Sequence, residues 1–151
     1  MSSGENLQKK LYFLVEQLQN MQRELPPKYQ MRVPCELLTS LANCLLNDTI
    51  FEIVKGLMEI QHVTEKHLLQ QRLQVLNKQK LDSGEVMSNH ELSAEAKISE
   101  LAKQKMKHTE EIKQVDMKLI LQLDQKVSDQ QITLEKAGVP GFYILYYDLA
   151  K

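Results

Sequence analysis

The chain has 151 residues, enough for one domain with a core if it folds compactly. Charged residues make up 26% of it and nearly cancel to a net charge of −1, so no long-range field favours holding a polyanion. Trp is absent, aromatics are 5% and glycine is scarce, a bias that disfavours sheets and suits long helices of Leu, Lys, Glu and Gln.

The amino terminus, MSSGENLQKKLYFLVEQL, has an apolar run only from Leu11 to Val15. That is too short for a signal segment or a bilayer span, so an intracellular protein without membrane attachment is expected. On the same ground Asn47-Asp48-Thr49, formally a glycosylation acceptor, is set aside. Leu7, Leu11, Leu14, Leu18, Met21 and Leu25 follow at alternating steps of four and three, which predicts a coiled-coil helix over 1–27, stopped by Pro26-Pro27. The stretch PPKYQMRVP reads as a connector, with Pro34 suited to the first turn of a new helix.

From Cys35 to Leu46 the pattern CELLTSLANCLL is apolar on most sides and predicts the densest core element, with Cys35 and Cys44 as buried free thiols. Asp48 or Thr49 is the expected cap of the next helix, with Thr49 and Glu52 spaced as a capping box. This long helix completes a 28–81 segment; at about 1.5 Å per residue it would span roughly 50 Å, which implies an elongated molecule. DSGEVMSNHELS predicts a loop over 82–92, and Ser88 with Glu91 a second capping box opening the last helix.

Over 93–138 a seam runs through Ile98, Leu101, Lys105, His108, Ile112, Val115, Leu119, Leu123, Val127 and Leu134, drifting between about 115 and 127. Gly138 is placed to end this helix in a left-handed cap, Val139 to make its hydrophobic contact, and Pro140 to forbid continuation. An aromatic tail, 139–151, follows. Phe142, Tyr143, Tyr146 and Tyr147 either fold back onto the helices or form a partner surface. The expected architecture is all-α, a single elongated helical bundle with a coiled-coil helical hairpin, and oligomeric.

Chemistry is hard to find in this pattern. The histidines are His62, His67, His90 and His108, and Glu59-x-x-His62 is the one spacing that carboxylate-bridged metal bundles use. A second such pair is missing, so solvated or interface histidines are the expectation, with no metal and no cofactor. No phosphate-binding glycine loop or nucleophile elbow occurs, and grooves between amphipathic helices suit other helices better than substrates. The basic runs Lys9-Lys10, LNKQK and AKQKMKH read as solvated faces rather than nucleic-acid contacts.

Two blocks, DTIFEIVKGLMEIQHVTEKHLLQQRL (48–73) and MKLILQLDQKVSDQQITLEKAGVPGFY (117–143), with the weaker ELPPKYQMRVPCELLTSLANCLL, resemble the gonadal protein and DiGeorge syndrome critical region protein family. The resemblance covers about 24–143. It implies a coiled-coil developmental protein of nucleus and cytoplasm, linked to gonadal expression in insects and to neural crest development and cell migration in vertebrates. It carries over no activity and no catalytic residue. The family's faint likeness to a laminin chain reads as shared heptads. In the family the chain continues past GVPGFY through a polar turn into another amphipathic helix, whereas ILYYDLAK follows here, as expected of a truncated or alternatively spliced form.

The expected function is that of a non-catalytic adaptor binding protein partners and a second copy, as a homodimer, through its coiled-coil seams. The interaction residues are Leu11, Leu14, Leu18 and Met21 for oligomerisation, Ile112, Val115, Leu119, Leu123 and Val127 for the long seam, and Phe142 and Tyr143 for anchoring the terminus. A nuclear factor in a nucleic-acid-associated complex is the alternative, and a metal-binding helical protein a weaker one.

Overall fold

The computed structural model describes residues 2–142, and within them the regular elements are all α-helical: α1 (Ser3–Arg23), α2 (Pro27–Gln30), α3 (Cys35–Leu45), α4 (Thr49–Ser88) and α5 (Ala94–Lys136). Where the sequence leads to one structural unit, the described residues divide into two compact ones, 2–58 with 128–142, and 59–127.

In the first unit α1 packs on α3. Ser2 caps α1, its hydroxyl accepting the Glu5 amide hydrogen at 3.3 Å. Glu5 stands three residues on, so Ser2-x-x-Glu5 is a capping-box signature that the heptad reading passed over. Beyond α1 the connector is held by two glutamines. Gln30 Nε2 donates to the carbonyls of Arg23 and Leu25 at 3.1 and 2.8 Å, and Gln22 Nε2 donates to those of Gln30 and Val33 at 3.4 and 3.3 Å. The last carbonyls of a helix have no partner within it, and these side chains supply one.

The core of this unit is small. Leu38 and Ala42, one turn apart on α3, are 4% and 0% exposed, and Ile50 at the start of α4 and Val139 beyond α5 are also buried. The dense apolar character expected of α3 is seen in this pair, but the cysteines depart from expectation. Cys35 is exposed and Cys44 half-buried, both free, because Cys35 is the first residue of α3 while the buried stripe falls on Leu38 and Ala42.

At the α3–α4 junction the capping differs from the sequence reading. Asn47 Oδ1 accepts the Thr49 amide hydrogen at 3.1 Å, while the Asp48 carboxylate turns to Lys10, 3.1 Å away. Lys10 Nζ also donates to the Leu46 carbonyl at 3.3 Å, fastening α1 to the end of α3. After α5, Gly138 adopts φ 86°, its N–H bonds the Glu135 carbonyl and that of Val139 bonds Leu134, each at 3.0 Å. These are the paired bonds that close a helix on a left-handed residue, and the buried Val139 completes them as the sequence predicts.

In the second unit α4 continues through residues 82–88, where the sequence predicts loop, and the break narrows to the residues between Ser88 and Ala94. Asp82, Ser83 and Gly84 are weak helix formers, each costing up to about 1 kcal/mol. Contacts across to α5 offset this. Ser83 Oγ donates to Gln104 Oε1 at 3.5 Å and Asp82 lies 3.8 Å from His108 Nε2. Ser93, rather than Ser88, caps α5 by accepting the Ala96 amide hydrogen at 3.1 Å, and Lys97 Nζ donates to the Met87 carbonyl at the end of α4.

Candidate interaction surface

The helical periodicity of α1 generates a single apolar stripe, and among the described residues one edge of it is the more covered. Leu11, Val15, Leu18 and Gln22, at steps of four, three and four, form the half-buried face. Leu7 and Met21 are 52% and 61% exposed, with the half-buried Leu14 midway between them at steps of seven. The seam predicted from Leu7 to Leu25 is therefore split. Leu11 and Leu18 belong to the packed face, whereas Met21 and its neighbours in the same row present an outer edge. The sequence gives no signal for this division, because it depends on the angle at which α3 approaches.

In the second unit the residues that cross-link α4 and α5 occur in opposite order along the two helices, Arg72 to Asp116, Gln79 to His108 and Met87 to Lys97. The half-buried face of α5 runs through Leu101, Gln104, His108, Ile112, Val115 and Leu119. Gln104 thus takes the place expected for Lys105, which is exposed, and Lys97 that expected for Ile98. Leu68 of α4, 4% exposed, is buried here. Leu123 and Val127, at the end of this unit, are 37% and 48% exposed.

Arg72 and Asp116, 44 positions apart, form an ion pair between α4 and α5, and nothing in the sequence marks them. Arg72 Nε donates to Asp116 Oδ1 at 2.8 Å and its Nη2 to Oδ2 at 3.3 Å, a bidentate pair. The hydrogen bond from Arg72, with its charge adding, holds the Asp116 carboxyl below the usual carboxylate range, against a smaller opposing effect of desolvation. The same bond raises the Arg72 guanidinium.

A Cβ placed on Gly141 would lie 3.6 Å from Leu37 Cδ1, so the chain after α5 runs against α3 at that residue, and Phe142 is half-buried. Tyr143, with the rest of the predicted tail, lies outside the described residues. Of the candidate metal pair, His62 turns to Glu65, with Nδ1 3.7 Å from Oε2, rather than to Glu59. Among the described residues no three His, Cys, Asp or Glu side chains converge as a metal site would require. No single helix among them is long and apolar enough to cross a bilayer.

These elements define an all-α protein of long amphipathic helices with partly uncovered apolar edges. The chain belongs to the DiGeorge syndrome critical region 6 (DGCR6) protein family, whose profile matches residues 1–147. It is 51% identical over 140 residues to the Gonadal protein gdl of Drosophila melanogaster, covering 93% of this chain and 72% of that protein. Protein DGCR6 of Gallus gallus is 41% identical over 149 residues, covering 91% of this chain and 74% of that one. No solved structure matches the chain.

Proposed function

We infer that the chain is a non-catalytic helical adaptor that self-associates through the outer edge of α1 and offers its long helices as a coiled-coil platform for protein partners. The observation that carries this reading is the row Leu7, Leu14 and Met21, apolar at every seventh residue, with Leu7 and Met21 exposed and Leu14 half-buried beside the face packed on α3. A helix meeting a like helix buries such a row.

The magnitude favours a weak dimer. At about 1.5 kcal/mol for each large apolar side chain taken from water, the value suited to side chains already partly covered, the three residues from each of two copies offer about 9 kcal/mol. Association itself costs at least about 4 kcal/mol. A net gain of about 5 kcal/mol corresponds to a dissociation constant on the order of 0.2 mM. Multi-angle light scattering from micromolar to millimolar concentration should therefore show mass rising with concentration, and L14D/M21D should abolish the rise. A strictly monomeric wild-type chain over that range removes the self-association.

Developmental work in gonadal or neural crest tissue and residence in both nucleus and cytoplasm form the biological part of the proposal, supported by family membership. A fluorescent fusion confined to one compartment would overturn that distribution.

A further inference from the structure

The middle of the second unit carries an uneven charge that the near-neutral whole conceals. Lys78 and Lys80 on α4 and Lys103, Lys105 and Lys107 on α5 lie at one level, as fixed by the contacts of Gln79 with His108 and of Ser83 with Gln104. Asp82 is the only carboxylate in the same span, 77–84 with 103–109. Among the described residues none of these five lysines is ion-paired; Asp82 faces His108 instead.

Two grooves flank this level, of about 520 and 360 Å³. They share Gln79, Ser83 and His108. The larger adds Asn77 and Lys80 with Leu73 and Leu76, and the smaller adds Lys105 and Thr109 with Leu101 and Ile112. Neither wall contains a carboxylate. Lining of this kind can donate hydrogen bonds from amide, hydroxyl, imidazole and ammonium groups and carries net positive charge, which is what an oxyanion requires. The grooves arise because a polar layer of Gln79, Ser83, Gln104 and His108 takes up the seam where apolar side chains would interdigitate.

We propose that this lysine belt and its two grooves bind a compact polyphosphate, a small molecule bearing several phosphate groups. The site goes beyond the adaptor reading and does not depend on it. Size follows from the acids that bound the belt. Glu85 and Glu100 stand on one side of it along the helices, Glu110 and Glu111 on the other. The span from Lys78 to Gly84, in which Asp82 is the one carboxylate, is roughly 9 Å at the helical rise. An extended polyanion such as duplex nucleic acid or an acidic helix would run over those carboxylates, whereas a compact one stays between them.

Isothermal titration of the full chain with inositol hexakisphosphate and with inorganic triphosphate tests this. Saturable one-site binding is expected at low ionic strength, falling as salt is raised. K80Q/K105Q should weaken it by at least about tenfold, the loss of one charge-assisted contact, with helical circular dichroism unchanged. K55Q/K118Q, which removes the same charge outside the belt, should leave it intact. No saturable binding, or equal loss in both double variants, overturns the site. Tighter binding of a duplex oligonucleotide or a polyglutamate peptide than of inositol hexakisphosphate overturns the compactness on which the ligand class rests.

Discussion

The same substitution at two glycines should move stability in opposite directions. A Cβ added at Gly84 or at Gly138 meets nothing within 4 Å, so neighbouring atoms contribute to neither change. What differs is the backbone. Gly84 lies inside α4, where alanine is favoured over glycine by about 0.5–1 kcal/mol. Gly138 sits at φ 86°, where an L side chain crowds its own carbonyl at about 1–2 kcal/mol. Alanine's smaller freedom in the unfolded chain offsets part of that cost, leaving a net loss of about 1 kcal/mol. With a urea dependence of about 1–3 kcal/mol per molar, G84A should raise the midpoint of helix loss, read at 222 nm, by about 0.2–1 M, and G138A should lower it by a similar amount. Shifts of the same sign, or a neutral G138A, would refute the assignment of Gly138 as a left-handed cap.

Leu38→Ala removes a nearly fully buried side chain from the small core around α3 and should cost about 2–5 kcal/mol, visible as a large fall in the urea midpoint; a change below 1 kcal/mol would mean that the α1–α3 core is not closed there. For the Arg72–Asp116 pair the sign follows from the depressed Asp116 carboxyl: its contribution is complete above the ordinary aspartate range near pH 4 and is lost as pH falls through the lower folded value. The difference in urea midpoint between wild type and Asp116→Asn should therefore be constant at neutral pH and close in strong acid, and a pH-independent gap would overturn this. Gln30→Ala leaves the carbonyls of Arg23 and Leu25 to water, at a cost of about 0.5–1 kcal/mol. Trypsin should then cut faster after Arg23, Lys28 and Arg32, and an unchanged digestion rate would show that the connector is held by other means.

Local chemistry was readable wherever one short stretch supplies all the participants. Gly138, Val139 and Pro140 stand next to the residues they cap, so the end of α5 could be placed from composition. The prolines did the same for the α1–α2 break. The stretch 82–88 was misread for the converse reason. Asp, Ser and Gly weaken a helix locally, and the contacts of Asp82 and Ser83 that outweigh this come from His108 and Gln104, more than twenty positions away. The cysteines show the same limit. An apolar neighbourhood in sequence put both of them inside, yet the helical phase of α3 turns Cys35 outward and Leu38 and Ala42 inward.

By itself the sequence determined the helical class, the family and the existence of an apolar stripe on α1, because backbone propensity and the 3.6-residue period act within a few residues of one another. Only the tertiary structure decided which edge of that stripe α3 covers and which remains open. It alone paired Arg72 with Asp116 and brought five lysines from two helices to one level around a polar layer. Each of these depends on the register between helices, which is set by packing over separations of twenty to fifty residues, where local periodicity carries no information.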